Sequence, residues 1–202
     1  MRLRPVVRAV SVAGGAVAVG AWTSSGRGRD LDGEIFVAIN RGHGPGPDAF
    51  FDAVTELGSI WASLGAGAVI ALAGRRAAAA RGLAAAGAAW LTGQGLKSLF
   101  LRPRPYTARP DRTRLMIDPP RATSWPSSHP AVVLAFTTAA GRGLGLGPVA
   151  RAALDALGLA VGTSRTYVGV HYPADVVGGI LIGRAIGVLL AGPAADVSGT
   201  RR

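Results

Sequence analysis

Apolar residues gather along this chain in long blocks, not in short alternating runs. Residues 5–22 are mostly Val, Ala and Gly; residues 57–74 carry no charge at all; residues 77–96 carry only Arg81. Three more blocks follow at 130–147, 148–163 and 173–192, the fourth and fifth of the series being short and interrupted by glycine. A membrane-spanning helix needs ~20 mostly apolar residues to cross ~30 Å of hydrocarbon. A soluble amphipathic helix would show a charged face, which these blocks mostly lack. The pattern therefore predicts an all-α protein, a six-transmembrane-helix bundle in a single domain over 1–202, with 1–22 as its first span. A cleaved leader ending near Ser24–Ser25 is the competing reading of the first block; an uncleaved span is preferred.

Polar residues between the blocks give the orientation. Arg2, Arg4 and Arg8 precede the first block, Arg75 and Arg76 separate the second from the third, Arg142 and Arg151 flank the turn between the fourth and fifth, and Arg201 and Arg202 end the chain. The positive-inside rule assigns these ends, including the tail 193–202, to the cytoplasm. Segments 23–50, 97–129 and 164–172 then face outward. Two of the outer segments are nonetheless basic, from Lys97 to Arg121 and at Arg165. Cations kept on the unfavoured side point to a local task such as holding an anion.

Composition narrows the classes. Hydrophobic residues make up 49% and charged residues 16% of 202, which excludes extended disorder. With no cysteine, disulfides, thiolate zinc sites and a cysteine nucleophile are all excluded. The net charge of +11 suits a nucleic acid, an anionic lipid or a phosphorylated substrate. Six spans and outward placement argue against nucleic acid.

Two of the three histidines, His129 and His171, lie in outer segments beside a helix start, followed by Pro130 and Pro173. Free N–H groups and the helix dipole favour an anion there. Asp175 stands four residues after His171, close enough in a first helical turn for its carboxylate to reach back and fix the imidazole tautomer; it could equally serve only as a cap. Lys97 ends one block, and Arg104 follows between Pro103 and Pro105, which hold the backbone extended. One compact and one forked cation suit phosphate oxygens. Ser127, Ser128 and Arg165 complete the candidate set.

These residues resemble the three motifs of the type 2 phosphatidic acid phosphatase family, relatives of the vanadium haloperoxidases. Lys97 through Arg104-Pro105 matches Lys-x6-Arg-Pro; Pro126-Ser127-Ser128-His129 matches Pro-Ser-Gly-His except for Ser128; Ser164-Arg165 through His171 to Asp175 matches Ser-Arg-x5-His-x3-Asp. The resemblance covers about residues 30–190, with Asn40 in what looks like the family's first outer loop. It implies that His171 attacks phosphorus to form a phosphohistidine, oriented by Asp175. It implies that His129 protonates the leaving oxygen and then activates water. Lys97, Arg104, Ser127, Ser128 and Arg165 would hold the phosphate, with no metal or other cofactor. Ser at 128 is small and keeps its N–H, so activity is expected to survive the replacement.

The expected function is a multi-pass cell-membrane phosphatase with an extracytoplasmic active site. Its substrate would be a lipid phosphate among membrane lipids: a polyprenyl diphosphate or polyprenyl phosphosugar phosphate, phosphatidic acid or phosphatidylglycerol phosphate, with polyprenyl carriers preferred. The alternatives are a vanadate-dependent haloperoxidase-like enzyme, and a non-enzymatic lipid-binding or transport protein retaining the fold. Gly179, Gly183 and Gly187 form a smooth stripe on the last span, suited to packing within the chain or to a homodimer. Asp155 and Arg184 fall at nearly equal depth, about 13 and about 16 Å from the outer ends of their blocks. An ion pair is expected, with snorkelling of Arg184 as the alternative. Trp22, Trp61, Trp90 and Trp125 are expected as interfacial anchors, Trp125 otherwise at the lipid entrance.

Overall fold

A computed structural model describes residues 3–24 and 26–192; Arg2, Ser25 of the candidate cleavage site and the tail 193–202 lie outside the described residues. The described residues form α1 (Leu3–Trp22), α2 (Gly26–Asn40), α3 (Pro45–Glu56), α4 (Ile60–Leu72), α5 (Arg76–Phe100), α6 (Pro105–Ala108), α7 (Ser128–Gly143), α8 (Pro148–Tyr167) and α9 (Pro173–Leu190). A 3-10 turn covers Pro110–Arg112, and these described residues contain no strand.

Each apolar block is a helix: α1, α4, α5, α7, α8 and α9. Among the described residues, α9 by itself is long and apolar enough to cross a membrane; α1 with α2, and α3 with α4 bent by 64°, would each qualify as one broken span. The physical reason lies in the side chains. Alanine and glycine contribute little hydropathy, and α5 and α8 each carry charged residues at both ends. With 13 residues, α4 reaches only about 20 Å. The first outer segment is also more structured than a loop. It contains α2 and the start of α3, and α2 buries Asp32, Gly33, Phe36 and Asn40 on one face.

Small residues hold the centre together. Ala85 and Ala89 of α5 meet Ala131, Ala135 and Ala139 of α7, all fully buried. On α9, a Cβ added at Gly179 would strike the Ser127 carbonyl, one at Gly183 the Ala131 backbone, and one at Gly187 the Thr138 side chain. The glycine face is thus filled by α7 of the same chain. It cannot serve as the surface of a homodimer, and the stripe acts within the chain. Replacing Gly183 with Val should cost about 1–3 kcal/mol through overpacking, seen as a lower thermal midpoint in detergent; an unchanged midpoint would contradict this packing.

Below the centre, Arg184 donates two hydrogen bonds to Asp155, at 2.6 and 2.9 Å, and a third at 3.2 Å to the Thr138 hydroxyl. The expected pair therefore forms, and Arg184 does not snorkel away from α8. Trp22, Trp61 and Trp90 are exposed. Trp125 departs from the expectation for the tryptophans: it is fully buried, its ring tilted by 44° against Phe100 with centroids 4.1 Å apart. The flat backbones at Gly20 and Gly178 make its slot, so it neither anchors at an interface nor lines an entrance.

Candidate active site

One end of the bundle gathers the C-termini of α5 and α8 with the N-termini of α7 and α9. Lys97 lies in the last turn of α5, where a cation also suits the helix dipole. Its buried ammonium donates to the Pro126 carbonyl and the Ser128 hydroxyl, both at 2.8 Å. Leu101 then ends α5 in the left-handed region, φ 45°. That turn sends both Arg102 and Arg104 into the interior, where each is buried. Arg104 donates to the Ala122 carbonyl at 2.6 Å and the Val170 carbonyl at 2.9 Å.

Ser127 is the N-cap of α7, and its N–H donates to the Asp175 carbonyl at 2.9 Å, tying α7 to α9. Its own hydroxyl is buried without a partner. Ser128 and His129 follow in the first turn, where N–H groups have no partner within the helix. At the end of α8, Arg165 donates to the Thr55 hydroxyl at 2.7 Å, while its buried Nε has no partner. The link from α8 to α9 turns at Gly169, φ 91°, where a Cβ would meet the Arg114 carbonyl; only glycine fits that turn. Asn40 closes the same corner: its amide donates to the carbonyls of Arg114 and Tyr167 and accepts from the Arg114 N–H, at 2.7–2.8 Å.

His171 sits on this link. Its Nε2 is 3.2 Å from a guanidinium nitrogen of Arg104, and its Nδ1 is 3.4 Å from Asp175 Oδ2. Arginine can only donate, so Nε2 must be the unprotonated acceptor, its lone pair turned toward Arg104, and the ring proton belongs on Nδ1. Burial, then the Arg104, Lys97 and Arg165 charges, hold the His171 imidazole well below its usual range. It is therefore a neutral base at neutral pH.

Lys97, Arg104, Ser128, His129, Arg165 and His171 all line one cavity of about 360 Å³. Asp175 stands behind His171, outside the wall. Ser127 does not line the cavity either. Ile60 and Trp61 of α4 and Trp90 of α5 give the same cavity an apolar wall, in which both tryptophans are exposed. Among the described residues, no group of three or more His, Asp or Glu side chains is placed to hold a metal.

Several contributors escape sequence reasoning. Arg102 lies within the Lys97–Arg104 interval but contacts Asp175 at 2.6 Å. Asp32 of α2 accepts from Arg102 at 2.6 Å and from the Ala174 N–H at 2.9 Å. Ser124 donates to Asp175. Thr55 supports Arg165. None has a local signal, since each partner is distant in sequence; only the basic run around Arg102 hints at it.

Ser128 does not occupy a left-handed turn: among described non-glycine residues, positive φ occurs at Leu101. A glycine at 128 is thus not required by the backbone. What the serine adds is its hydroxyl on Lys97. Ser128→Gly should lower kcat by no more than about 150-fold, the loss of one hydrogen bond to a charged group being about 1.5–3 kcal/mol at most. Steady-state kinetics check this, and a thousandfold loss would show that the hydroxyl takes part in chemistry.

A family model described as the PAP2 superfamily matches residues 77–192, a range that holds Lys97 through Asp175. The chain is similar to the crystal structure of the first transmembrane PAP2 type phosphatidylglycerolphosphate phosphatase from Bacillus subtilis. The TM-score is 0.78 at 21% identity, over 92% of this chain and 94% of that one. It is also similar to the crystal structure of Aquifex aeolicus LpxE, with a TM-score of 0.67 at 27% identity, over 78% of this chain and 92% of that one. No curated protein matches the sequence at a significant level.

Proposed function

The chain belongs to the PAP2 superfamily, and from that premise we propose that it is a membrane phosphatase that hydrolyses a lipid phosphate through a phosphohistidine, without a metal. One observation carries this reading: two imidazoles, the guanidinium groups of Arg104, Arg121 and Arg165, and an ammonium line a single cavity of about 360 Å³. Phosphoryl transfer asks mainly for positioning and for charge around three equatorial oxygens. Lys97, Arg104 and Arg165 supply that charge. The Ser128 hydroxyl and the α7 N-terminus add donors.

In the first step the Nε2 lone pair of His171 attacks phosphorus and forms a P–N bond as the P–O bond to the lipid breaks. His129, which burial and the nearby cations hold below its usual range until the phosphate's negative charge offsets them, then gives its proton to the leaving oxygen. In the second step His129 takes a proton from water, the resulting hydroxide attacks phosphorus, and the P–N bond breaks to release inorganic phosphate. Asp175 holds the Nδ1 proton throughout.

The six apolar helices are read as spans, with this end of the bundle outside the cytoplasm, since Arg75, Arg76, Arg142 and Arg151 mark the other end. The apolar wall at Ile60, Trp61 and Trp90 suits a substrate whose tail stays in the bilayer while its phosphate enters the cavity. Substrates with a polyprenyl tail are preferred, because an outward site suits the maturation or recycling of wall-precursor carriers.

The test uses purified protein in detergent with polyprenyl diphosphate, phosphatidic acid and phosphatidylglycerol phosphate. Released phosphate is measured with and without a chelator. Phosphate release from at least one lipid, unchanged by chelation, is the expected result. Inactivity on every lipid phosphate would favour a non-enzymatic lipid-binding protein, and loss of activity with chelator would overturn the metal-free step.

A further inference from the structure

Behind the nucleophile a buried chain of charges runs away from the cavity. The Asp175 carboxylate takes four neighbours: Arg102 at 2.6 Å on Oδ1, and on Oδ2 the Ser124 hydroxyl at 2.5 Å, the Tyr172 N–H at 2.8 Å and His171 at 3.4 Å. The second nitrogen of Arg102 donates to Asp32 at 2.6 Å, and the guanidinium lies 4.3 Å over the Tyr172 ring. Asp32 accepts on both oxygens, from Arg102 and from the Ala174 N–H. Burial pushes its carboxyl up while Arg102 opposes this; with donors on both oxygens, the ionised form is the one that fits. Arg102, Asp32 and Asp175 are all buried. Buried ion clusters are weak contributors to stability compared with apolar packing, and the chemistry above uses neither Arg102 nor Asp32.

The distances are unequal in an informative way. Asp175 is held closer by Arg102 than by His171. We propose that Arg102 and Asp32 are positioning residues that set how much negative charge Asp175 presents to His171, Arg102 drawing the carboxylate off the imidazole and Asp32 limiting that draw. This rests on His171 being the nucleophile. An imidazolium has no lone pair with which to attack, so the balance decides how far into acid the enzyme can work. Too little draw lets Asp175 charge the ring. Too much leaves Nδ1–H without a firm acceptor.

The other groups around His171 form a constant background. They are Lys97 from α5, Arg104 from the following link, His129 from α7 and Arg165 from α8, with Glu56 of α3 near Arg165. Ser124 and Tyr172 are neutral neighbours. Against this background the two positioning residues act with opposite sign. Arg102→Gln removes a cation and should stabilise the imidazolium. Asp32→Asn removes an anion and should disfavour it.

The experiment reads His171 twice in the full-length protein in detergent. The acid limb of kcat/KM against pH reports the free enzyme's essential groups. Imidazole 15N shifts report the ring directly, and with three histidines in the chain the signals are assigned by substituting His43 and His129 singly. In Arg102→Gln the His171 midpoint should rise by about one pH unit, toward the range of about pH 5 to pH 8 where an unperturbed imidazole titrates. Asp32→Asn alone should lower the midpoint, and adding it to Arg102→Gln should change the midpoint little, because Asp32 acts through Arg102. Arg102→Lys, which keeps the charge and loses the fork, should keep the wild-type midpoint with a lower kcat. An unmoved midpoint in Arg102→Gln, or an upward shift from Asp32→Asn, would overturn the proposal and leave the cluster a structural device. The shift readings stand without turnover: opposed shifts in a protein inactive on every lipid phosphate would sink the phosphatase reading alone, whereas full activity with unmoved midpoints would sink this one alone.

Discussion

His171→Ala is expected to lower phosphate release by at least about four orders of magnitude, the scale on which removal of an attacking nucleophile is felt. The loss should fall on kcat. Lys97, Arg104 and Arg165 do not depend on the imidazole for their positions: Lys97 is fixed by Pro126 and Ser128, Arg104 by Ala122 and Val170, Arg165 by Thr55. Asp175 likewise keeps Arg102, Ser124 and the Tyr172 N–H. Inhibition by inorganic phosphate should therefore persist within a few fold of its wild-type strength, as these ionic contacts are unchanged. Turnover is read by phosphate release and the fold by the thermal midpoint. Residual activity above about one hundredth of wild type, with the fold intact, would place the nucleophile elsewhere.

His129→Ala separates the two halves of the reaction. On a lipid substrate, whose alkoxide is a poor leaving group, loss of the acid should cost about 10²–10⁴ in rate. An aryl phosphate with an acidic phenol needs no such proton. His171 should still attack it, and the missing base should then stall hydrolysis of the P–N bond. The expected result is a covalent label that approaches one phosphate per chain, stable in alkali and lost in acid. Mass spectrometry should locate it on His171. No label, or a label on a serine or carboxylate, would refute the two-step route.

Much of this centre was legible in the sequence because its chemistry lies at helix ends. His129, His171 and Asp175 stand within a turn of Pro130 and Pro173, and Lys97 and Arg104 flank the close of α5. Local rules of capping and spacing reach that far. The expected Asp155–Arg184 pair followed from depth alone, as two charges in apolar helices have few other partners. What escaped was set by contacts between distant segments. Asp32 meets Ala174 across 142 residues, and Thr55 meets Arg165 across 110. Trp125 looked like an anchor because nothing near it in sequence shows the slot left by Gly20 and Gly178. The glycine stripe of α9 announced close packing but not its partner, since a smooth face fits a neighbouring helix and a second subunit equally well. Its partner is α7. Span counting was the weakest reading, because alanine-rich helices that bury one another need little hydropathy of their own.

The alanine and glycine seam joining α5, α7 and α9 also governs what can be altered. Lys97, His129 and Asp175 are carried on the ends of three rods that pack closely through alanine and glycine, leaving little room between them to absorb an error. Spacing among the reacting groups is therefore inherited from the shaft beneath, and a methyl group added well away from the chemistry would be transmitted to it as misalignment. Trp61 on the cavity's edge, 76% exposed, lies outside that seam. Changes of substrate preference by design or drift have room there, while the shaft is the part that must be left alone.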